Sequence, residues 1–151
     1  MSTEALPSIA GGWLGTYYYL GTQRTNQPAR FEASFEGGAA GQFAGTILDD
    51  SRLLGMADVR GHQIGLIVRF SKVYQKVIPG GRTMRVEYEG SFSEDGRVMC
   101  GRWRITGPYG LPIPGAYGTW EAHRAWVAEE EPEALAGRAG EGLDVREALL
   151  A

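Results

Sequence analysis

The feature that most restricts what this chain can fold into is a pattern of period two in which glycine and tryptophan fall on the same side. Gly101-Arg102-Trp103 and Gly118-Thr119-Trp120 lie in two stretches joined by the segment Gly107–Gly115, and Gly11-Gly12-Trp13 opens the first such stretch of the chain. Side chains of a strand alternate between its two faces, so each glycine shares a face with its tryptophan. Three such faces predict a closed wall in which absent side chains leave room for indole rings.

The same alternation continues along the chain. It predicts eight strands, at about Gly12–Leu20, Arg30–Glu36, Gln42–Asp49, Gly55–Arg60, Gln63–Tyr74, Thr83–Phe92, Val98–Thr106 and Ala116–Trp126. In the second, Phe31, Ala33 and Phe35 alternate with Glu32, Ser34 and Glu36, as expected of a strand buried on one side. In the fifth, the inward series reads Ile64, Leu66, Val68, Phe70, Lys72 and Tyr74. Gly37–Gly41, Gly61-His62 and Ser93-Glu94-Asp95-Gly96 read as turns, the last of the Asp-Gly type. No helix is expected between strands, and short links make successive strands antiparallel neighbours. The fold class is therefore all-β, an eight-stranded antiparallel up-and-down β-barrel whose closure removes both sheet edges; a two-sheet sandwich is the alternative. Residues 1–10 read as a loose lead-in, 11–127 as the barrel and 128–151 as an acidic C-terminal tail. That tail is expected to be mobile or to form short helices, since Pro132 suits a first helical turn and short helices are marginal alone.

Charge is uneven along the chain. Residues 129–151 hold seven acids and two arginines, a net −5, whereas residues 1–128 hold thirteen basic and eleven acidic groups, a net +2. The basic residues are scattered, which argues against nucleic-acid binding. Cys100 is the only cysteine, so no intrachain disulfide can form. The first residues carry an acid and no basic segment followed by an apolar core, and no apolar run is long enough to span a bilayer. The expectation is a cytoplasmic protein without membrane contact.

Link lengths locate a site. The links after the first, third, fifth and seventh strands are the longer ones, and in an up-and-down barrel these share one end. A barrel mouth with long loops is where ligands commonly bind. Strand direction and parity place Tyr19, Asp49, Lys72, Tyr74 and Ile105 near that mouth, with Tyr17 and Tyr88 deeper. Lys72 carries the most weight, because a barrel interior rarely accepts an unpaired ammonium. Asp49 is its expected partner, with tyrosine hydroxyls completing the network. This set suits an anchor for an anionic or carbonyl-bearing ligand; it equally suits a structural Lys–Asp–Tyr plug, or a lysine reaching solvent at the rim. Trp13, Trp103 and Trp120 are core indoles or a stacking floor for a ring. The candidate ligand-binding residues are thus Tyr17, Tyr19, Asp49, Lys72, Tyr74, Tyr88, Trp103 and Trp120.

Other chemistry finds little support. His62 in a turn, with His123 and Cys100 facing outward, gives no metal spacing, and no cofactor is expected. A Cys100–His123 nucleophile pair lacks an orienting acid. Gly37–Gly41 lacks the lysine, hydroxyl and following helix of a phosphate loop. The proline-rich Gly107–Gly115 reads as a stiff rim or a rigid link.

Several of these residues carry a family resemblance. Trp13-x-Gly15-x-Tyr17 resembles the opening pattern of calycin-type barrels, the avidins and lipocalins, and Gly118-Thr119-Trp120 resembles the Gly-Thr-Trp of avidin strands. Arg124 is placed like the arginine that lipocalins set over a first-strand tryptophan, here Trp13. Phe70-x-Lys72-x-Tyr74, Tyr88-x-Gly90 and Gly101-x-Trp103 are similar to small avidin-like barrel proteins of microbes. The resemblance covers about residues 11–126. It implies a barrel fold, while the polar Asn/Ser pair that avidins present early for biotin is replaced by Tyr17 and Tyr19.

Three functions follow as expectations. The first is a non-enzymatic binding barrel for a small, partly apolar ligand entering at the long-loop end. The second is a protein-interaction or assembly module, homo-oligomeric or docking a protein partner through 129–151. The third is a barrel enzyme of cyclase or isomerase type using Lys72 or a tyrosine as acid or base.

Overall fold

The computed structural model describes residues 6–21, 28–50, 55–76, 85–107 and 111–128, with only the backbone of Pro112. Eight strands form it: β1 (Gly11–Tyr19), β2 (Ala29–Gly37), β3 (Gln42–Asp49), β4 (Met56–Ile64), β5 (Ile67–Tyr74), β6 (Arg85–Phe92), β7 (Val98–Thr106) and β8 (Pro112–Val127). Each pairs antiparallel with the next, and β8 pairs with β1, so the sheet closes into the expected barrel. A single 3-10 turn, Ala39–Gly41, links β2 to β3.

Glycines and indoles interlock across neighbouring strands. Gly118 stands opposite Trp103, and a Cβ at Gly118 would lie 2.8 Å from the Trp103 ring and inside the Tyr18 carbonyl oxygen. Gly101 stands opposite Trp120, whose ring extends on over Gly90. The three interior indole N–H groups find backbone acceptors: Trp13 donates to Ile9 O at 2.9 Å, Trp103 to Thr119 O at 3.0 Å and Trp120 to Glu89 O at 3.2 Å, whereas Trp126 Nε1 has no partner among the described residues. Each interior ring is thereby buried with its polar atom satisfied, which is the condition for placing tryptophan in a core.

The interior is layered along the barrel axis. Trp13 packs on Phe92 near the end with short turns, and Phe35 packs on Phe43. In the middle, Phe70 and Tyr88 stack at 4.7 Å and both meet the edge of Trp120. Trp103 meets Tyr17 and Tyr19 nearest the mouth. The three indoles are core residues on three levels, not one stacking floor.

Arg124 fastens the closed end. Its guanidinium lies 4.2 Å over the Trp13 ring and donates to Gly96 O, Ala10 O and Ser8 O at 3.1, 3.1 and 2.6 Å. Gln63 assists by accepting from Ile9 N at 3.2 Å and donating to Pro7 O. Residues 6–10 are accordingly not loose, and Ile9 is buried as a cap on the core.

Other expectations need correcting. Gly61-His62 is not a turn but part of β4, where a Cβ at Gly61 would come within 2.5 Å of the Phe43 and Phe70 side chains. The chain turns instead at Gly65, whose φ of +60° favours glycine. Ile64 and Leu66 consequently face solvent, not the core. β8 begins at Pro112 rather than Ala116, so much of the proline-rich rim is strand. An irregularity in the β1–β8 register leaves Ala125 unmatched and puts Trp126 on the outer face against Gly12. The turn residues Ser51 and Arg52, the loop Ile78–Gly81, the start of strand six at Thr83, the tip 108–110 and the acidic tail 129–151 lie outside the described residues.

Gly118→Ala is expected to destabilise the fold by about 1–3 kcal/mol, the usual cost of overpacking a filled core. Gly37→Ala, whose new methyl meets nothing nearer than 3.8 Å, should change stability little. Urea unfolding of the two variants checks the contrast.

Candidate functional site

The links after β1, β3 and β5 are the longest, while that after β7, shortened by the early start of β8, equals the five-residue link after β6; the ends of β1, β3, β5 and β7 lie at one pole, opposite the Arg124 latch. The last residues of β1, β3 and β5 are Tyr19, Asp49 and Tyr74, so all three stand at that pole. Lys72 sits two residues before Tyr74 on the same face of β5. Between β3 and β5 runs β4, and its residue in register with Tyr74 is Ala57, which adds only a methyl to the interior. Ala57 gives no signal in the sequence, because small inward residues carry no chemistry of their own.

Lys72 is 1% exposed and Asp49 5% exposed, so both charges are inside the wall. The ammonium donates to Asp49 Oδ1 at 3.3 Å and Oδ2 at 3.2 Å. Asp49 Oδ2 also accepts from the Tyr74 hydroxyl and, at 3.4 Å, from that of Tyr17. Three tyrosine rings surround the Lys72 ammonium, with centroids at 4.7 Å for Tyr74, 5.1 Å for Tyr17 and 5.3 Å for Tyr88. The carboxylate accepts from Lys72, Tyr74 and Tyr17, and the ammonium lies within reach of the π-electron density of three rings, which attracts cations.

Gly15 helps assemble the cluster. A Cβ there would enter the Phe31 ring, which stands opposite on β2 and packs against Tyr17 at 6.3 Å. Tyr19 is half-buried and touches Trp103 edge-on at 4.8 Å. Tyr17, Tyr19, Asp49, Lys72, Tyr74, Tyr88 and Trp103 therefore come together. Trp120 lies a layer deeper, against Phe70 and Tyr88.

Thr106 is a residue that parity misplaces. Ile105 is the inward position by alternation, yet the β7–β8 register shifts between Arg104 and Thr106, and Thr106 is buried too. Its hydroxyl has no partner among the described residues. His62, within β4, contacts Ala40 O at 2.9 Å. Cys100 stands opposite Glu121 and His123 opposite Val98, so the two are out of register with each other. Among the described residues no cluster of three ligating side chains could hold a metal ion.

Burial dominates the electrostatics. It raises the hydroxyl pKa values of Tyr17, Tyr74 and Tyr88 well above the ordinary tyrosine range, and the Asp49 charge adds to the effect. Burial lowers the pKa of the Lys72 ammonium, against the opposing pull of Asp49. Chemically, the cluster is a neutral ion pair in an aromatic box; the Tyr17 and Tyr74 hydroxyls donate to Asp49, which leaves the Lys72 cation and the hydroxyls of Tyr19 and Tyr88 to meet an oxygen-bearing group.

No family model and no curated protein match this sequence. Solved structures share its architecture, among them the following two. A rhizavidin–biotin complex superposes with a TM-score of 0.53 at 12% identity, covering 82% of this chain and 98% of that one. Apo shwanavidin superposes with a TM-score of 0.50 at 11% identity, covering 82% of this chain and 100% of that one. The fold is that of an avidin-like barrel. At such identity the likeness concerns architecture alone, and what the site binds must be argued from its own residues.

Two predictions follow from the ion pair. Lys72→Met leaves Asp49 charged and buried without its cation, and should cost roughly 3–5 kcal/mol. Adding Asp49→Asn should restore most of that loss in urea unfolding. The second concerns alkaline pH. The folded state keeps the protons of Tyr17, Tyr74 and Tyr88 where an unfolded chain loses them, so above the ordinary 10.0 it binds more protons and loses stability as pH rises. Each of the three contributes about 1.4 kcal/mol per pH unit. Lys72 acts in the opposite sense only below its ordinary 10.5, because above that value the unfolded amine is neutral as well. Tyrosinate absorbance of at least three of the seven tyrosines should therefore appear only as the barrel unfolds.

Proposed function

We propose that the protein is a non-enzymatic binding barrel for a small, partly apolar molecule that enters at the long-link pole. The observation that carries this reading is the position of the Asp49–Lys72–tyrosine cluster. A buried ion pair contributes little to stability by itself, since removing two charges from water offsets most of their attraction. Here it stands at the pole that bears the three longest links, beside Tyr19 and Trp103. Lys72 and the hydroxyls of Tyr19 and Tyr88 would meet the polar atoms of the ligand, while Trp103 and the tyrosine rings would cover its apolar part.

The replacement of the avidin Asn/Ser pair by Tyr17 and Tyr19 points to a ligand other than biotin, and titration calorimetry with biotin is expected to show no uptake. Native mass spectrometry of protein purified from its own host should show a retained small molecule. The Asp49→Asn/Lys72→Met variant, which keeps an acceptor for Tyr74, should fold and bind that molecule about 10- to 100-fold more weakly, the range lost with one charged hydrogen bond. A bare polypeptide mass from the host, or unchanged uptake in the double variant with altered stability, would identify the cluster as a structural plug instead.

A further inference from the structure

Lysine is scarce in this chain. Of its fifteen basic residues thirteen are arginines, and the two lysines are Lys72 and Lys76. Lys76 is exposed, whereas Lys72 is enclosed. The difference between the two residue types bears on chemistry. A guanidinium keeps its proton in proteins, but an ammonium can lose one, and the free amine is a nucleophile toward carbonyl carbon.

The surroundings of Lys72 suit that reaction. A carboxylate stands 3.2–3.3 Å from Nζ, close enough to receive a proton. Aromatic faces on three sides exclude water and stabilise a cation at the nitrogen. We infer that Lys72 captures aldehydes reversibly, holding them as a protonated imine with Asp49 as counter-ion. The inference rests on the binding reading above and names the ligand chemistry of the same site.

The step balances without a redox partner. A proton passes from Nζ to an Asp49 oxygen, and the nitrogen lone pair forms a bond to the carbonyl carbon as the C=O π bond opens onto oxygen. Proton transfers give a neutral carbinolamine. Asp49 delivers a proton to its hydroxyl, water departs with the C–O bonding electrons, and the nitrogen lone pair closes C=N. The nitrogen keeps one proton, so an ammonium and an aldehyde become an iminium and water. The site holds one positive and one negative charge before and after, and no new charge is buried. The lowering of the Lys72 pKa by burial makes the neutral amine more accessible, and exclusion of water slows hydrolysis of the product.

The test uses the intact protein with para-anisaldehyde at neutral pH, cyanoborohydride trapping and peptide mapping by mass spectrometry. Lys72 should carry the para-methoxybenzyl label in excess over Lys76 by roughly tenfold or more. Equal labelling, or label at Lys76 alone, would overturn the inference. Lys72→Arg keeps the charge and should abolish the interior label; if that variant fails to fold, the ratio in the unaltered protein decides. The carbonyl-free para-anisyl alcohol separates the two claims. Retention of the alcohol in native mass spectra, with Lys72 unlabelled by the aldehyde, removes the imine and leaves the binding barrel standing. If neither compound is retained, both readings fall for this ligand class.

Discussion

The ladder between β1 and β8 is the interaction on which the rest depends, because without it the sheet has two edges and no interior. Its register runs from Gly11 opposite Val127 to Tyr19 opposite Gly118. Once closed, the wall pairs each strand on both sides, apart from the register shifts near Ala125 and Ile105, and turns alternate side chains into one shared space. The burial of Lys72 and Asp49 is a consequence of that closure. An open sheet would let both charges reach solvent, and the tyrosines around them would have no reason to converge.

Closure also explains why the interior is so aromatic and why so many glycines face it. A cylinder of eight strands has room for large rings only where facing positions are small. Gly118 beneath Trp103, and Gly90 and Gly101 beneath Trp120, provide those gaps. These indole N–H groups then turn back to carbonyls of the wall itself, so packing and hydrogen bonding reinforce one another. The polar cluster is confined to one pole because the other levels are filled by Trp13, Phe35, Phe43, Phe70 and Phe92.

Much of this was legible from alternation alone. Counting by twos along Phe43–Asp49 and Phe70–Tyr74 put Asp49, Lys72 and Tyr74 inside, and link lengths put them at one pole. The resemblance of Arg124 to a lipocalin arginine anticipated its place over Trp13. Alternation failed where the chain breaks its own period. Gly61 looked like a turn because glycine serves both tight turns and crowded wall positions, and only the neighbouring Phe43 and Phe70 rings distinguish them. The register shifts near Arg104 and Ala125 moved Thr106 and Trp126 to faces that parity does not assign. The docking of Ile9 depends on Arg124 and Gln63, which are distant in sequence and give no local signal.

The Arg124 latch has a practical consequence for geometry. By gripping the carbonyls of Ser8 and Ala10 while Ala128 N lies 3.4 Å from Ala10 O, it brings the entry and exit of the described chain to the same pole. A surface or a fused carrier joined directly at Leu6 or Ala128 would therefore hold the molecule upright, with the Tyr19–Asp49–Tyr74 rim directed away from the support and toward bulk solution.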